Sequence, residues 1–127
     1  GPPGEIPAET RLALSQAESM AQEQPHELIL ARALFAAAAG RRKETERLVR
    51  RWQREAADDY AVLVSHRHYG CRALGMVNAV SATLACFQDS LAEPSFLQPF
   101  IEPLLPYYDG MRKDSRFTAL VAELKQG

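Results

Sequence analysis

The chain has 127 residues, 46% of them hydrophobic and 24% charged, with a formal net charge of -1, the profile of one soluble globular domain. At this length a fold buries roughly two-thirds of the surface its unfolded chain exposes, so neither a metal nor a disulfide is needed to hold it together. The near-zero charge removes the electrostatic case for a nucleic-acid binder, and no apolar run approaches the ~18 residues of a membrane span.

Residues 1–7 hold three prolines and two glycines without apolar periodicity. They read as a cleavage scar and a disordered lead-in, with the domain proper over 8–127 as a fragment of a larger protein. Leu12, Leu14, Ala17, Met20 and Ala21 place a helical stripe between Ala8 and Gln24, which Pro25 ends. Pro25 suits the first position of the next helix, running to Ala39 with Gly40 as its left-handed cap. Lys43 to Ala57 forms a third helix with Thr45, Leu48, Val49, Trp52 and Ala56 on one face. Asp58 and Asp59 are candidate N-caps for a helix from Tyr60 to Leu74 that stops at Gly75, and Val77 to Leu91 continues the alternation. Pro94, Pro99, Pro103 and Pro106 leave room only for short helical pieces before Tyr108. Asp114 then caps a last helix that buries Phe117, Leu120, Val121 and Leu124. The fold class is all-α, because no segment sustains a period of two between hairpin turns.

Gly40, Gly75 and Gly110 recur every 35 residues, and at that offset Thr45, Val49 and Trp52 fall in register with Val80, Leu84 and Phe87. Thr10, Leu14 and Ala17 extend the register backwards, which makes the first helix the second half of a truncated hairpin. A helical-hairpin unit near this length, with a small residue at the turn, resembles the tetratricopeptide repeat. Ala33 and Thr45 fill that family's two small positions in the first repeat, and His68 and Val80 fill them in the second. The tail from Pro106 through Tyr107, Tyr108, Asp109, Arg112, Asp114, Arg116 and Phe117 resembles the ending of a bacterial group of these repeat domains. Members of that group commonly form the carboxy-terminal part of winged-helix transcription regulators and adenylate cyclases. The resemblance implies a short right-handed solenoid with a C-terminal capping helix, in which Tyr107, Tyr108, Met111 and Phe117 cover the last hairpin and Asp109 pairs with Arg112 or Arg116.

No constellation points to catalysis or to a cofactor. His66 and His68 stand two apart on a helix and so point in opposed directions, which excludes a shared metal. Cys71 and Cys86 sit on the two helices of one hairpin and read as buried thiols in a reducing cytosol, which gives a cytoplasmic location. Glu102 and Asp109 are acidic neighbours in a Pro-rich loop without a paired-carboxylate geometry.

Two binding surfaces are expected. The concave face of stacked first helices is lined by Glu27, Leu30, Leu34, Ala37 and Ala38 from one hairpin and by Val62, Ser65, Tyr69, Arg72 and Ala73 from the next. This groove suits a protein or peptide partner with an apolar anchor and a carboxylate or carbonyl for Arg72, or a second copy of the chain; equally, Leu30, Leu34 and Tyr69 are core residues or contact a missing amino-terminal part of the parent. Lys43, Arg47, Arg50, Arg51 and Arg54 form a basic stripe opposite the buried side of their helix, a solvated face or an auxiliary contact for an acidic partner surface, a nucleotide-bearing module or nucleic acid. The function expected is therefore a non-catalytic interaction and regulatory module of a bacterial signalling or transcription regulator. A small-molecule sensor with a pocket around Trp52, Tyr69 and Phe87 is the alternative, and a homodimerisation domain a third.

Overall fold

The computed structural model describes residues 7–21 and 25–126, and the side chains of all of these except 19–21, 25 and 27. Apart from Pro7, the lead-in lies outside the described residues. Among those described there is no strand, and the α-helices are α1 (Ala8–Ala21), α2 (Pro25–Ala38), α3 (Arg42–Glu55), α4 (Tyr60–Met76), α5 (Val80–Ala92) and α6 (Ser115–Gln126). Two 3-10 segments, η1 (Glu102–Leu104) and η2 (Pro106–Met111), occupy the proline-rich stretch, where missing N–H donors forbid longer helices. The caps are local and mostly as the sequence predicts. Asp59 accepts from the Val62 N–H at 3.2 Å, and Asp114 Oδ1 accepts from the Arg116 N–H at 2.9 Å.

Two helical hairpins, α2 with α3 and α4 with α5, have like turns, in a register that differs from the glycine spacing. Gly40, with φ +74°, is the left-handed residue after α2. The corresponding residue after α4 is Asn78, with φ 56°, and Gly75 lies inside the helix. Both turns carry the same pair of bonds: Gly40 and Arg41 N–H to the Ala37 and Ala36 carbonyls, Asn78 and Ala79 N–H to those of Gly75 and Leu74. The offset across the turns is thus 38, because α4 has 17 residues and α2 has 14. At this offset the buried set Thr45, Leu48, Val49, Trp52 of α3 maps onto the buried set Thr83, Cys86, Phe87, Ser90 of α5. Val80 and Leu84, the expected equivalents, are only half-buried. Ala33 now pairs with Cys71 rather than His68, and small residues fill both positions. Thr45, Thr83 and Thr118 each return a hydroxyl hydrogen bond to the carbonyl four residues back, marking the start of α3, α5 and α6 alike.

The other glycines of the series serve close approach. A Cβ on Gly75 would meet the Tyr108 ring at 2.6 Å, and one on Gly110 would overlap the Asn78 side chain.

α2, α4 and η2 stack in a row, α3 packs on α2 and α4, and α5 joins α4 to α6. The core holds Leu30, Leu34, Trp52, Phe87, Tyr108 and Met111, and Tyr107 and Phe117 are buried with them, as the cap reading expects. Phe87, Tyr108 and Phe117 form one aromatic cluster with centroids 5.2 to 6.5 Å apart. Asp109 pairs with Arg112 at 3.0 Å, while Arg116 takes Asp114.

Cys71 and Cys86 correct the expectation of two free thiols. They form a disulfide with Cα atoms 5.4 Å apart. They lie seven and eight residues from Asn78, so the antiparallel pairing of α4 with α5 brings them level. The thiol argument for a reducing compartment falls with that bond. No helix among the described residues is long and apolar enough to cross a membrane.

Candidate functional site

The concave groove expected from the sequence is closed by the chain itself. α1 packs along α2 with Ala13 and Ala17 buried and also touches η2, so it lies over the face of the row α2, α4, η2. Leu30, Leu34 and Ala73 are completely buried, and Ala37 and Val62 nearly so. These five are core residues and not lining for a partner, because the face that carries them is covered. Ser65 and Tyr69 are half-buried, and the Ser65 hydroxyl is bonded to the Ala61 carbonyl. The Glu27 side chain lies outside the described residues.

Arg72 needs a second correction. The carboxylate expected from a partner is supplied by Glu102, whose side chain is 4% exposed against 14% for Arg72. Nε and Nη2 donate to the two carboxylate oxygens at 2.8 and 3.0 Å, a bidentate pair. The Tyr108 hydroxyl donates to Glu102 Oε2 at 2.7 Å, and the guanidinium sits 5.4 Å from the Tyr69 ring centroid and 5.1 Å from that of Tyr107. Burial works against the charge of Arg72, but the hydrogen bond and charge of Glu102 outweigh it and hold the guanidinium above its ordinary range. Burial, then Glu102, pushes the Tyr108 phenol well up, so it stays a donor. The sequence singles out Glu102 only as an acidic neighbour of Asp109 and gives no sign of its pairing with Arg72. Glu102 stands 30 positions from its partner in a loop without periodicity, and only tertiary packing joins them.

One turn away, His68 is buried, and burial followed by the charge of Arg72 lowers its imidazole to about 4. It is therefore a neutral core residue at pH 7. His66 Nδ1 and the Ser65 hydroxyl lie in a hydrogen bond at 2.8 Å. Among the described residues no group of three His, Cys, Asp or Glu could hold a metal.

The basic stripe lies on the exposed side of α3 as expected. Glu44 pairs with Arg47 and Glu55 with Arg51, both within the helix, and Arg42 pairs with Glu46. Lys43, Arg50 and Arg54 have no carboxylate partner among the described residues. Exposed pairs of this kind contribute little to stability, and they leave three cations of the stripe without a carboxylate partner among the described residues.

Two further surfaces emerge from the tertiary structure. The first is a cleft between α3 and α5, floored by α4, in two lobes of ≈ 200 and ≈ 380 Å³ that share Gln53 and Asp89. Trp52 and Arg67 line the larger lobe, and Trp52 Nε1 and Arg67 Nη1 are buried without a hydrogen-bond acceptor. The expected pocket around Trp52 is thus present in part, but Tyr69 and Phe87 do not line it. The second is apolar. Phe96, Phe100, Ile101 and Leu104 are 54 to 68% exposed in the segment that leads into and through η1. Leu104 continues into a ≈ 300 Å³ hollow with Phe117 and Val121, and Phe100 into another with Leu91 and Leu124.

In comparisons with known proteins the chain shows no significant match to a family model, a curated protein or a solved structure.

Proposed function

We propose that the domain is a non-catalytic interaction and regulatory module, built as a short tetratricopeptide-like solenoid from a larger bacterial signalling or transcription regulator. Its partner is a protein. The solenoid reading is supported by the two hairpins, α2 with α3 and α4 with α5, which share turn geometry and a buried register at an offset of 38. The interaction reading is carried by one observation, the four large apolar side chains exposed between Phe96 and Leu104. A loop that folds onto α4 through the Phe96 N–H to Val64 carbonyl bond and the Glu102 to Arg72 pair could have hidden them, yet presents them to solvent. Clustered apolar exposure at one end of a domain is the signature of a protein contact. The contact therefore belongs at the η1 and α6 end and not in the covered concave face.

A photo-crosslinking residue placed at Phe100 tests this in the full-length parent, with the same residue at exposed Gln88 as control. A discrete adduct from position 100 alone, lost in Phe96→Ser/Leu104→Ser, supports the surface. Equal adducts from both positions, or none, refute it. Light scattering on the purified chain then separates a second copy from a different protein as the partner.

A further inference from the structure

The apolar end carries a pattern of shape and charge that narrows the choice of partner. α6 packs on α5, and Phe117 anchors it in the aromatic cluster. At about 100° of turn per residue, Ser115, Ala119 and Ala122 form its outer ridge, and all three are exposed and small. An apolar hollow lies along each flank of that ridge. On one side Phe117, Val121 and Lys125 line the hollow of ≈ 300 Å³ together with Leu104. On the other, Glu123 and Leu124 line a hollow of ≈ 240 Å³ with Leu91 and Phe100. Glu123 and Lys125 stand two apart on the helix and so point to opposite flanks, out of each other's reach. Both are exposed, and neither pairs with an opposite charge among the described residues.

Resting on the reading of this end as a contact surface, we infer that its partner is a second copy of the same chain, in a two-fold dimer whose α6 helices run parallel. A two-fold interface must be complementary to itself, and this patch holds both recesses and projecting large side chains. Charge sets the direction. An antiparallel pair of α6 helices about a two-fold brings like flanks together, Lys125 against Lys125 and Glu123 against Glu123. A parallel pair brings opposite flanks together, so that Lys125 of each copy meets Glu123 of the other, as flanking charges do in parallel coiled coils. The small outer ridge lets the two helices approach closely. Phe100 of one copy then faces the larger hollow of the other, and Leu104 faces the smaller. The area agrees with this partner. At roughly 200 Å² per large apolar side chain, the exposed parts of Phe96, Phe100, Ile101 and Leu104 amount to about 500 Å² per copy, over half of the ~800 Å² that each side of a stable interface buries, before α6 is counted.

Light scattering on the full chain from about 1 to about 500 µM tests the dimer, with circular dichroism confirming the fold of each variant. A mass that rises to twice the monomer's is expected, and Leu104→Ser, at an exposed position, should weaken dimerisation at least about tenfold. Glu123→Lys and Lys125→Glu each place like charges against one another twice per dimer, and each alone should weaken it about tenfold. Combined in one chain they reverse every pair, so Glu123→Lys/Lys125→Glu should return to the affinity of the parent. A dimer that Leu104→Ser leaves intact, single charge variants that pair as well as the parent, or a double variant that stays weak overturns the assignment. A monomer at every concentration overturns it too, and the crosslink at position 100 then tells the two readings apart. With the adduct, a different protein occupies the surface; without it, the contact surface itself is refuted.

Discussion

Replacing either member of the Arg72 and Glu102 pair should cost far more than a surface salt bridge would. Both side chains are largely out of solvent, the contact is bidentate at 2.8 and 3.0 Å, and a third group, the Tyr108 hydroxyl, is tied to the same carboxylate. Glu102→Gln leaves a guanidinium walled in by two tyrosines, and Arg72→Met leaves a carboxylate that water hardly reaches. For a buried pair broken on one side, the loss is about 3 to 5 kcal/mol. A domain of this size commonly has a total stability of about 5 to 15 kcal/mol, so each single variant should be close to its unfolding midpoint under mild conditions. The double variant Arg72→Met/Glu102→Gln removes both charges and keeps an acceptor for Tyr108. It should recover at least about 2 kcal/mol relative to the sum of the singles, since removing a whole buried pair is often nearly neutral. Urea denaturation followed by circular dichroism measures all four proteins on one scale, with an unchanged m-value as the check on two-state behaviour. Single losses below about 1 kcal/mol, the range of exposed pairs, would show that water screens the contact and that η1 is not anchored by it. The same result would restore Arg72 as a free groove residue.

Three more outcomes follow from the packing. Denatured, unreduced protein should show no titratable thiol, and Cys71→Ser/Cys86→Ser should lose about 3 kcal/mol, the loop-closure value for a separation of 15 residues; two free thiols would return the pair to the buried-thiol reading. His68 has a folded-state pKa of about 4 against 6.5 unfolded, so the unfolded chain takes up the proton first. Stability is therefore fully present above pH 6.5 and falls as the pH drops towards 4, by about 3 kcal/mol at 1.36 kcal/mol per tenfold change in proton affinity. Urea titrations across that window should show a slope that His68→Leu removes, and an identical slope in the variant would assign the effect elsewhere. Gly75→Ala and Gly40→Ala should both destabilise, but for different reasons. The first pushes a methyl into the Tyr108 ring for about 1 to 3 kcal/mol, and the second meets open space but strains a φ of +74° for about 1 to 2 kcal/mol. A Gly75→Ala variant as stable as the parent would mean that Tyr108 is free to move, contrary to its bond with Glu102.

What was legible in the sequence is what local physics decides. Helix limits came within a few residues, because Pro25, Gly40, Asp59 and Asp114 act on their own neighbours through missing donors, left-handed backbone and side-chain caps. The buried faces of α3 and α6 also followed from spacing, since a helix period places Trp52 and Phe117 on one side whatever they pack against, whereas the aromatic cap came from the resemblance of the tail. The repeat was visible, but its register was not. Glycine at 35-residue spacing marked one turn and two close approaches, and the three residues by which α4 exceeds α2 moved the second turn onto Asn78. Everything that depended on residues distant in the chain needed the tertiary structure. It put α1 over the face where a groove was expected, gave Arg72 a carboxylate from 30 residues away, joined Cys71 to Cys86, and opened a cleft where α3 and α5 part. Helix period and capping are short-range and can be read from a dozen residues. Which charge finds which partner, and which face is left uncovered, depends on how whole helices pack, where small differences in length decide the outcome.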